Sequence, residues 1–123
     1  MLNHVQACLP EEACGILVGL EGSVSQVTPI ENASHSPVRF RMQPRAQVEA
    51  LLDLEARGLQ LLAIYHSHPS GPPTPSATDL AEAFYPEAAA LIWCSESGQW
   101  RARAFDLSQS VPVELELEVV HAE

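Results

Sequence analysis

His66 and His68 stand two residues apart, just past an apolar run from Leu59 to Tyr65. In an extended backbone, positions i and i+2 face the same side. Two imidazoles can therefore reach one ion. Asp79 follows after ten intervening residues, in the first turn of an expected helix, and can return a carboxylate to the same point. Two histidines and one aspartate give three nitrogen and oxygen ligands. They leave a fourth position open, which is the arrangement of a catalytic zinc site. A closed structural site wants a fourth protein ligand, usually Cys, and none lies nearby in sequence. Hydrolysis also needs a base for the attacking water and a proton for the leaving group. Glu11 and Glu12 stand just before the apolar segment Gly15–Gly19, and Glu12 is the candidate. The hydroxyl of Ser76 could donate to an oxyanion.

Each of these residues also has a plainer reading. His-x-His alone is a weak signal. Ser76-x-x-Asp79 after Pro75 is a good helix start, with Ser76 as the cap and Asp79 near the positive helix end. A carboxylate fixed there is also preorganised as a ligand. Glu12 also reads as a solvated glutamate at a strand start. Ser67 and Ser70 are expected to bond the local backbone.

The elements that must position these groups follow from pattern. Residues 1–9 read as a short helix stopped by Pro10. Gly15–Gly19 reads as a buried strand, with a turn at Glu21-Gly22-Ser23 and a partner strand from Val24 to Ile30. Val38–Met42 alternates apolar and basic residues, as a half-exposed strand would. Val48, Leu51, Leu52 and Leu54 form the stripe of a helix that begins after Pro44 and stops at Gly58. Leu59–Tyr65 reads as a central strand. The proline-dense residues 69–75 exclude helix and central strand. A helix is expected from Ser76 to about Phe84. Strands are expected at Ala88–Cys94 and Trp100–Phe105, joined around Ser97-Gly98. Val113–Val120 has an edge-strand alternation with a charged face. The sum is an α/β fold, a mixed sheet with two main helices.

The 123 residues suit a single domain over 1–123. A formal net charge of −10 argues against a nucleic-acid surface, which normally carries a basic patch, and fits a soluble protein. No apolar run of about 18 residues exists, so no membrane span is expected. Met1–Pro10 lacks the pattern of a secretory leader. Cys8, Cys14 and Cys94 show no C-x-x-C spacing and read as reduced thiols in a cytoplasmic protein. Cys14 is expected in the core, and Cys94 either packs or approaches the site. His4, His35 and His121 are expected to be exposed, and Trp93 and Trp100 to fill core or surface grooves. Nothing in the sequence specifies an oligomeric state.

Together, Glu12, His66-Ser67-His68-Pro69, Ser76 and Asp79 resemble the JAMM (MPN-plus) metalloprotease motif. That motif is an upstream glutamate, then His-Ser/Thr-His, seven residues, Ser, two residues and Asp. Pro69–Pro75 and Ala77-Thr78 match that spacing without a gap. Pro10 through Gly19 resembles the family's first glutamate and strand. The resemblance implies Zn2+ on His66, His68 and Asp79, Glu12 as general acid/base and Ser76 as oxyanion donor. It also implies a mixed curved sheet flanked by helices, related to the cytidine deaminase architecture. The deaminase signature of His-x-Glu with Pro-Cys-x-x-Cys is absent. The segment from Asn32 through Arg39-Phe40-Arg41-Met42 to Pro44 resembles the small prokaryotic sulfur-carrier–cysteine hydrolases, known as Mec.

The expected function is therefore amide hydrolysis at the C-terminal Gly-Gly tail of a ubiquitin-like sulfur-carrier protein, for example releasing cysteine. Such a tail can lie extended along a sheet edge, and glycine lets its backbone come close to a metal. Arg39 or Arg41 could meet a substrate carboxylate, or either could be a plain surface charge. Two other readings stand beside this one. One is an isopeptidase that removes a ubiquitin-like modifier from protein lysines. The other is a metal-bearing scaffold without activity, disfavoured because neither a ligand nor the glutamate is missing.

Overall fold

The computed structural model describes residues 1–118. Its elements run α1 (Leu2–Cys8), β1 (Cys14–Leu20), β2 (Ser23–Ile30), α2 (Pro44–Ala56), β3 (Gln60–His68), α3 (Ala77–Ala81), β4 (Ala89–Glu96), β5 (Gln99–Asp106) and β6 (Val113–Leu115). The strands form one open six-stranded sheet in the order β2-β1-β3-β4-β5-β6. All neighbours are antiparallel except β3 and β4, which are parallel. A parallel pair needs a long crossover. Here the crossover runs from Pro69 to Ala88 and contains α3. No described helix is long and apolar enough to cross a membrane.

Both faces of the central strands are covered, so β1 is buried along almost its whole length. Side chains alternate between faces along a strand. Cys14, Ile16 and Val18 pack with Ile30, Met42 and Leu54 on the side of α2. Leu17 and Tyr65 pack with Ala63, Leu91 and Ala104 on the other side. There Met1, just before α1, accepts through its sulfur from the Trp93 indole, and His4 of α1 has its Nδ1 2.7 Å from the Tyr65 hydroxyl. His4 is thus half-buried and engaged, contrary to the exposed position expected. His35 is exposed as expected, while His121 lies outside the described residues. Cys14 is in the core, and Cys94 is buried as well.

Local chemistry explains most boundaries. Pro44 opens α2, the side chain of Gln43 accepts from the Ala46 amide, and Gly58 beyond its end takes φ +68°. Ser97 and Gly98 both have positive φ in the β4–β5 turn, the geometry that matches the twist of a hairpin. Bulges fall between Val18 and Gly19 toward β2 and between Leu17 and Val18 toward β3. Such irregularities bend a sheet.

Three expected elements differ. Val38–Met42 is not a strand; Met42 alone makes a bridge, with Asn32. The Asn32 side chain takes the place of a partner strand by bonding the backbone of Arg39 and Arg41. Val38 is accordingly 80% exposed. The helix α3 ends at Ala81 instead of near Phe84. Pro86 disfavours helical backbone at Tyr85, and the Tyr85 hydroxyl accepts from Gln47 of α2. The last strand stops at Leu115, and 116–118 carry no strand. Its alternation is real, but Val113, Leu115 and Leu117 stay exposed, so no buried face extends the ladder. Val119 and Val120 of that expected strand lie outside the described residues.

Gly15 sits where β1 passes the fully buried Tyr65, and a Cβ there would overlap the Tyr65 ring and hydroxyl. Overpacking of this kind costs roughly 1–3 kcal/mol. Gly15→Ala is expected to lower Tm in a thermal melt by at least about 4 °C. An unchanged melt would show that Tyr65 has room to move.

Candidate metal centre

The histidines lie inside β3 at its C-terminal end, beside the parallel neighbour β4. In open sheets, sites form at the carboxyl ends of parallel strands, where the order of connection reverses. Ser67, between the two histidines, is fully buried. Its hydroxyl accepts from the Ala13 amide at 2.8 Å, and its own amide donates to the Ala13 carbonyl at 3.1 Å. Ser67 thus bonds a backbone 54 residues away, not the local one expected. That pair continues the β1–β3 ladder past Cys14 and brings Glu12 to the histidines. The Glu12 amide donates to the Ser36 carbonyl at 2.8 Å, and its carbonyl accepts from Asn32 Nδ2 at 3.0 Å.

Asp79 arrives from α3. Ser76 caps that helix, with Oγ accepting from the Asp79 amide at 3.0 Å. In return the Ser76 amide donates to Asp79 Oδ2 at 2.8 Å. The same oxygen lies 3.1 Å from His68 Nε2 and 3.3 Å from His66 Nε2. The two Nε2 atoms are 3.0 Å apart. Bonds of roughly 2.0–2.1 Å to a tetrahedral zinc separate ligand atoms by about 3.3–3.4 Å. These three atoms therefore have the mutual spacing of a metal's ligands. Glu12 presents a carboxylate oxygen that, with one ring nitrogen from each histidine, forms a set lying within 4.8 Å of one another. Asp79 is the better third ligand on distance, and Glu12 stands close enough to face an occupant of the open position.

The protonation pattern agrees with this donor set. The Pro72 carbonyl lies 2.7 Å from His68 Nδ1. A carbonyl only accepts, so Nδ1 carries a proton and donates to it, which leaves Nε2 as the ring atom that faces Asp79 and that a metal would take. Burial disfavours charge on His66 and lowers its pKa, which keeps that ring neutral. On His68 burial acts the same way, but the bonds to Asp79 and the Pro72 carbonyl outweigh it and raise the pKa. Burial opposes the charge on Asp79 too, yet hydrogen bonds from both histidines hold its carboxyl well below the usual range. Glu12 is only 3% exposed. Burial pushes its carboxyl up to about 7, against the pull of His68. Its Oε1 is buried without a hydrogen-bond partner. A buried polar atom left unpaired is costly, and a cation with its solvent would relieve it.

A groove leads to these groups. Phe40, Phe84 and Tyr85 line it together with His66 and Asp79. Arg39 and Glu82 line it too, and Arg39 Nη2 donates to Glu82 Oε1 at 2.8 Å. Arg39 is thus paired with a carboxylate of the chain itself, whereas Arg41 is exposed. The ring of Phe40 stacks on His66, with centroids 4.4 Å apart and planes 21° apart. Phe40 and Asn32 were not singled out as site residues by the sequence reading. Both lie in the segment Asn32–Pro44 that resembles the sulfur-carrier–cysteine hydrolases, but locally they read as an apolar position in an alternating run and an asparagine among turn residues.

All five residues drawn from the sequence thus meet in one place. The chain is also similar to known proteins. It is 44% identical over 69 residues to a desampylase of Pyrococcus furiosus, covering 56% of this chain and 49% of that protein. It is 43% identical over 81 residues to a probable TtuB-protein conjugate cleaving protease of Thermus thermophilus, covering 65% and 54%. It is 36% identical over 90 residues to a CysO-cysteine peptidase of Mycobacterium tuberculosis, covering 72% and 62%. The chain therefore spans about half the length of the first two. A solution structure from Desulfitobacterium hafniense superposes with a TM-score of 0.82 at 36% identity, over 94% of this chain and 83% of that one. A JAB1/MPN domain protein of Archaeoglobus fulgidus shares the fold, with a TM-score of 0.60 at 22% identity over 98% and 90%. Residues 1–107 match the family described as prokaryotic homologs of the JAB domain. With the match running from α1 through β5, the chain belongs to that family.

Proposed function

We propose that this chain is a zinc-dependent amide hydrolase acting at the C-terminal Gly-Gly tail of a ubiquitin-like sulfur-carrier protein, for example to release cysteine. One observation carries the reading. His66 Nε2, His68 Nε2 and Asp79 Oδ2 lie 3.0–3.3 Å from one another, and Glu12, whose Oε1 is buried without a partner, brings a carboxylate oxygen within 4.8 Å of the histidine nitrogens. His66, His68 and Asp79 are the zinc ligands in this reading. Residues 1–123 act as one catalytic domain in the cytoplasm, where three free thiols are at home.

A zinc ion held there supplies Lewis acidity toward water and an amide carbonyl. Glu12 takes a proton from the attacking water and later passes it to the leaving nitrogen. A carboxyl pushed up to about 7 by burial is suited to holding and releasing that proton. Ser76 Oγ accepts from the Asp79 amide through a lone pair. Its own proton stays available to the carbonyl oxygen as negative charge develops. The capping role and the oxyanion role are therefore compatible. Glycine residues in the substrate would fit between Phe40 and Phe84, because their backbone needs little width.

The names of two relatives, a desampylase and a conjugate cleaving protease, support the second reading, an isopeptidase for a ubiquitin-like modifier on protein lysines. The CysO-cysteine peptidase supports the first. Purified protein should be offered a carrier ending in Gly-Gly-Cys and an isopeptide-linked conjugate, with zinc and with a chelator. Release of cysteine that the chelator abolishes is the expected result. Cleavage of the conjugate alone selects the isopeptidase. Failure on both with zinc present rejects hydrolysis and leaves a scaffold.

Glu12→Gln is expected to keep a full equivalent of zinc and lose at least ~100-fold in kcat, whereas His68→Ala should lose the metal. Metal analysis with kinetics checks both, and an active Glu12→Gln would remove Glu12 as the base. Ser76→Ala should cost about 1 kcal/mol as a lost cap and on the order of 100-fold in kcat. A lower Tm with normal kcat would limit Ser76 to the cap.

Glu12 also gives the metal-free protein a pH signature. Its folded pKa of about 7 lies above the model value of 4.5. The stability this group contributes is present at low pH and is lost as pH rises through that window. Metal-free Glu12→Gln should therefore melt near the parent at pH 4.5 and above it beyond pH 7. Calorimetry across that range checks this; parallel Tm curves would mean that the Glu12 carboxylate is already solvated.

A further inference from the structure

We propose that Asn32 is a positioning residue for this centre, locking the Glu12 backbone and the Phe40–His66 stack into one rigid unit. The inference rests on the metal-centre reading above. Asn32 is 7% exposed and lies two residues past the end of β2, at the start of a polar, turn-rich segment. Its side chain makes every bond that its amide geometry offers to the surrounding backbone. Nδ2 donates to the Glu12 carbonyl and to the Arg39 carbonyl, both at 3.0 Å. Oδ1 accepts from the Ser34 and Arg41 amides, both at 3.0 Å.

The choice of partners is informative. Arg39 and Arg41 flank Phe40, so two of the four bonds grip the chain on either side of the ring that stacks on His66. A third bond holds the peptide of Glu12 itself. One planar amide therefore fixes the aromatic cover of a ligand and the carbonyl of the base at once. Residues 38–41 form no strand, and besides the Asn32 bonds the backbone of 39–41 is held by the bond from the Ala33 amide to the Arg41 carbonyl. Asn32 needs both an acceptor and a two-proton donor. Aspartate, of the same shape, would turn a carboxylate oxygen toward two carbonyls.

Groups that orient metal ligands from outside commonly change metal affinity by about 10–100-fold when removed. Asn32→Ala and Asn32→Asp test the proposal, with Leu54→Ala as a control, because Leu54 is the buried core residue of α2 and is none of the site groups. Zinc affinity is read by competition with a chromophoric chelator, which requires no activity. Both Asn32 variants are expected to bind zinc at least about 10-fold more weakly. They should also lose kcat with KM within threefold, measured well below their melting temperatures. Leu54→Ala should lose Tm with normal zinc affinity and kcat. The proposal is overturned if the Asn32 variants behave like Leu54→Ala, or if Asn32→Asp matches the parent in affinity. A parent that binds zinc but cleaves no substrate strikes the hydrolase reading alone, and the affinities still decide the role of Asn32.

Discussion

A single carboxylate oxygen, Asp79 Oδ2, meets three groups at once: the Ser76 amide and one ring nitrogen from each histidine. The first of these bonds belongs to the start of its own short helix, so the carboxylate is oriented before any ion arrives. The other two belong to β3, the central strand. The crossover between β3 and β4 therefore has to hold Asp79 at the C-terminal end of β3 before it runs to the start of β4, and this one interaction sets where it can run. A helix of five residues would be marginal in water by itself. Here its capping box and its contact with the strand histidines hold it in place.

The electrostatics follow from the same contact. Two imidazoles and a carboxylate, all nearly buried, make an uncomfortable cluster in a protein interior. Asp79 stays ionised because the histidines stabilise its charge, and Glu12 tends to keep its proton because burial outweighs the pull of His68. Two carboxyls that share one small space are thus pushed in opposite directions. Pairs of titratable groups separated in this way are typical of sites that divide acid and base duties.

How much of this was readable beforehand depends on the range of each interaction. The faces of His66 and His68 follow from strand alternation, and the capping of Ser76 and Asp79 from spacing over three residues. Both are local, and the structure has both. Glu12 was a candidate from its position before a buried strand, but only the family likeness tied it to the histidines, since nothing near residue 12 specifies that β1 lies against β3. Periodicity misled at Val38–Met42, where alternation suggested a strand. A side chain, Asn32, satisfies that backbone instead, and no local pattern encodes such a substitution. Likewise the bond of Ser67 to Ala13 and that of His4 to Tyr65 join distant segments. The shortened α3 and β6 reflect tertiary demands: a tyrosine drawn to α2 in one case, an uncovered apolar face in the other.

The proline-dense link between His68 and Ser76 deserves a thermodynamic reading. It carries four of the chain's ten prolines, and each has its φ confined before the chain ever folds. An unfolded chain restricted in this way has fewer conformations to surrender. The link supplies the Pro72 carbonyl that settles which nitrogen of His68 bears hydrogen, and it sets the span over which Asp79 must come back. Much of the ordering that the centre requires is thus written into the denatured ensemble, so less disorder has to be removed when the ligands are brought together.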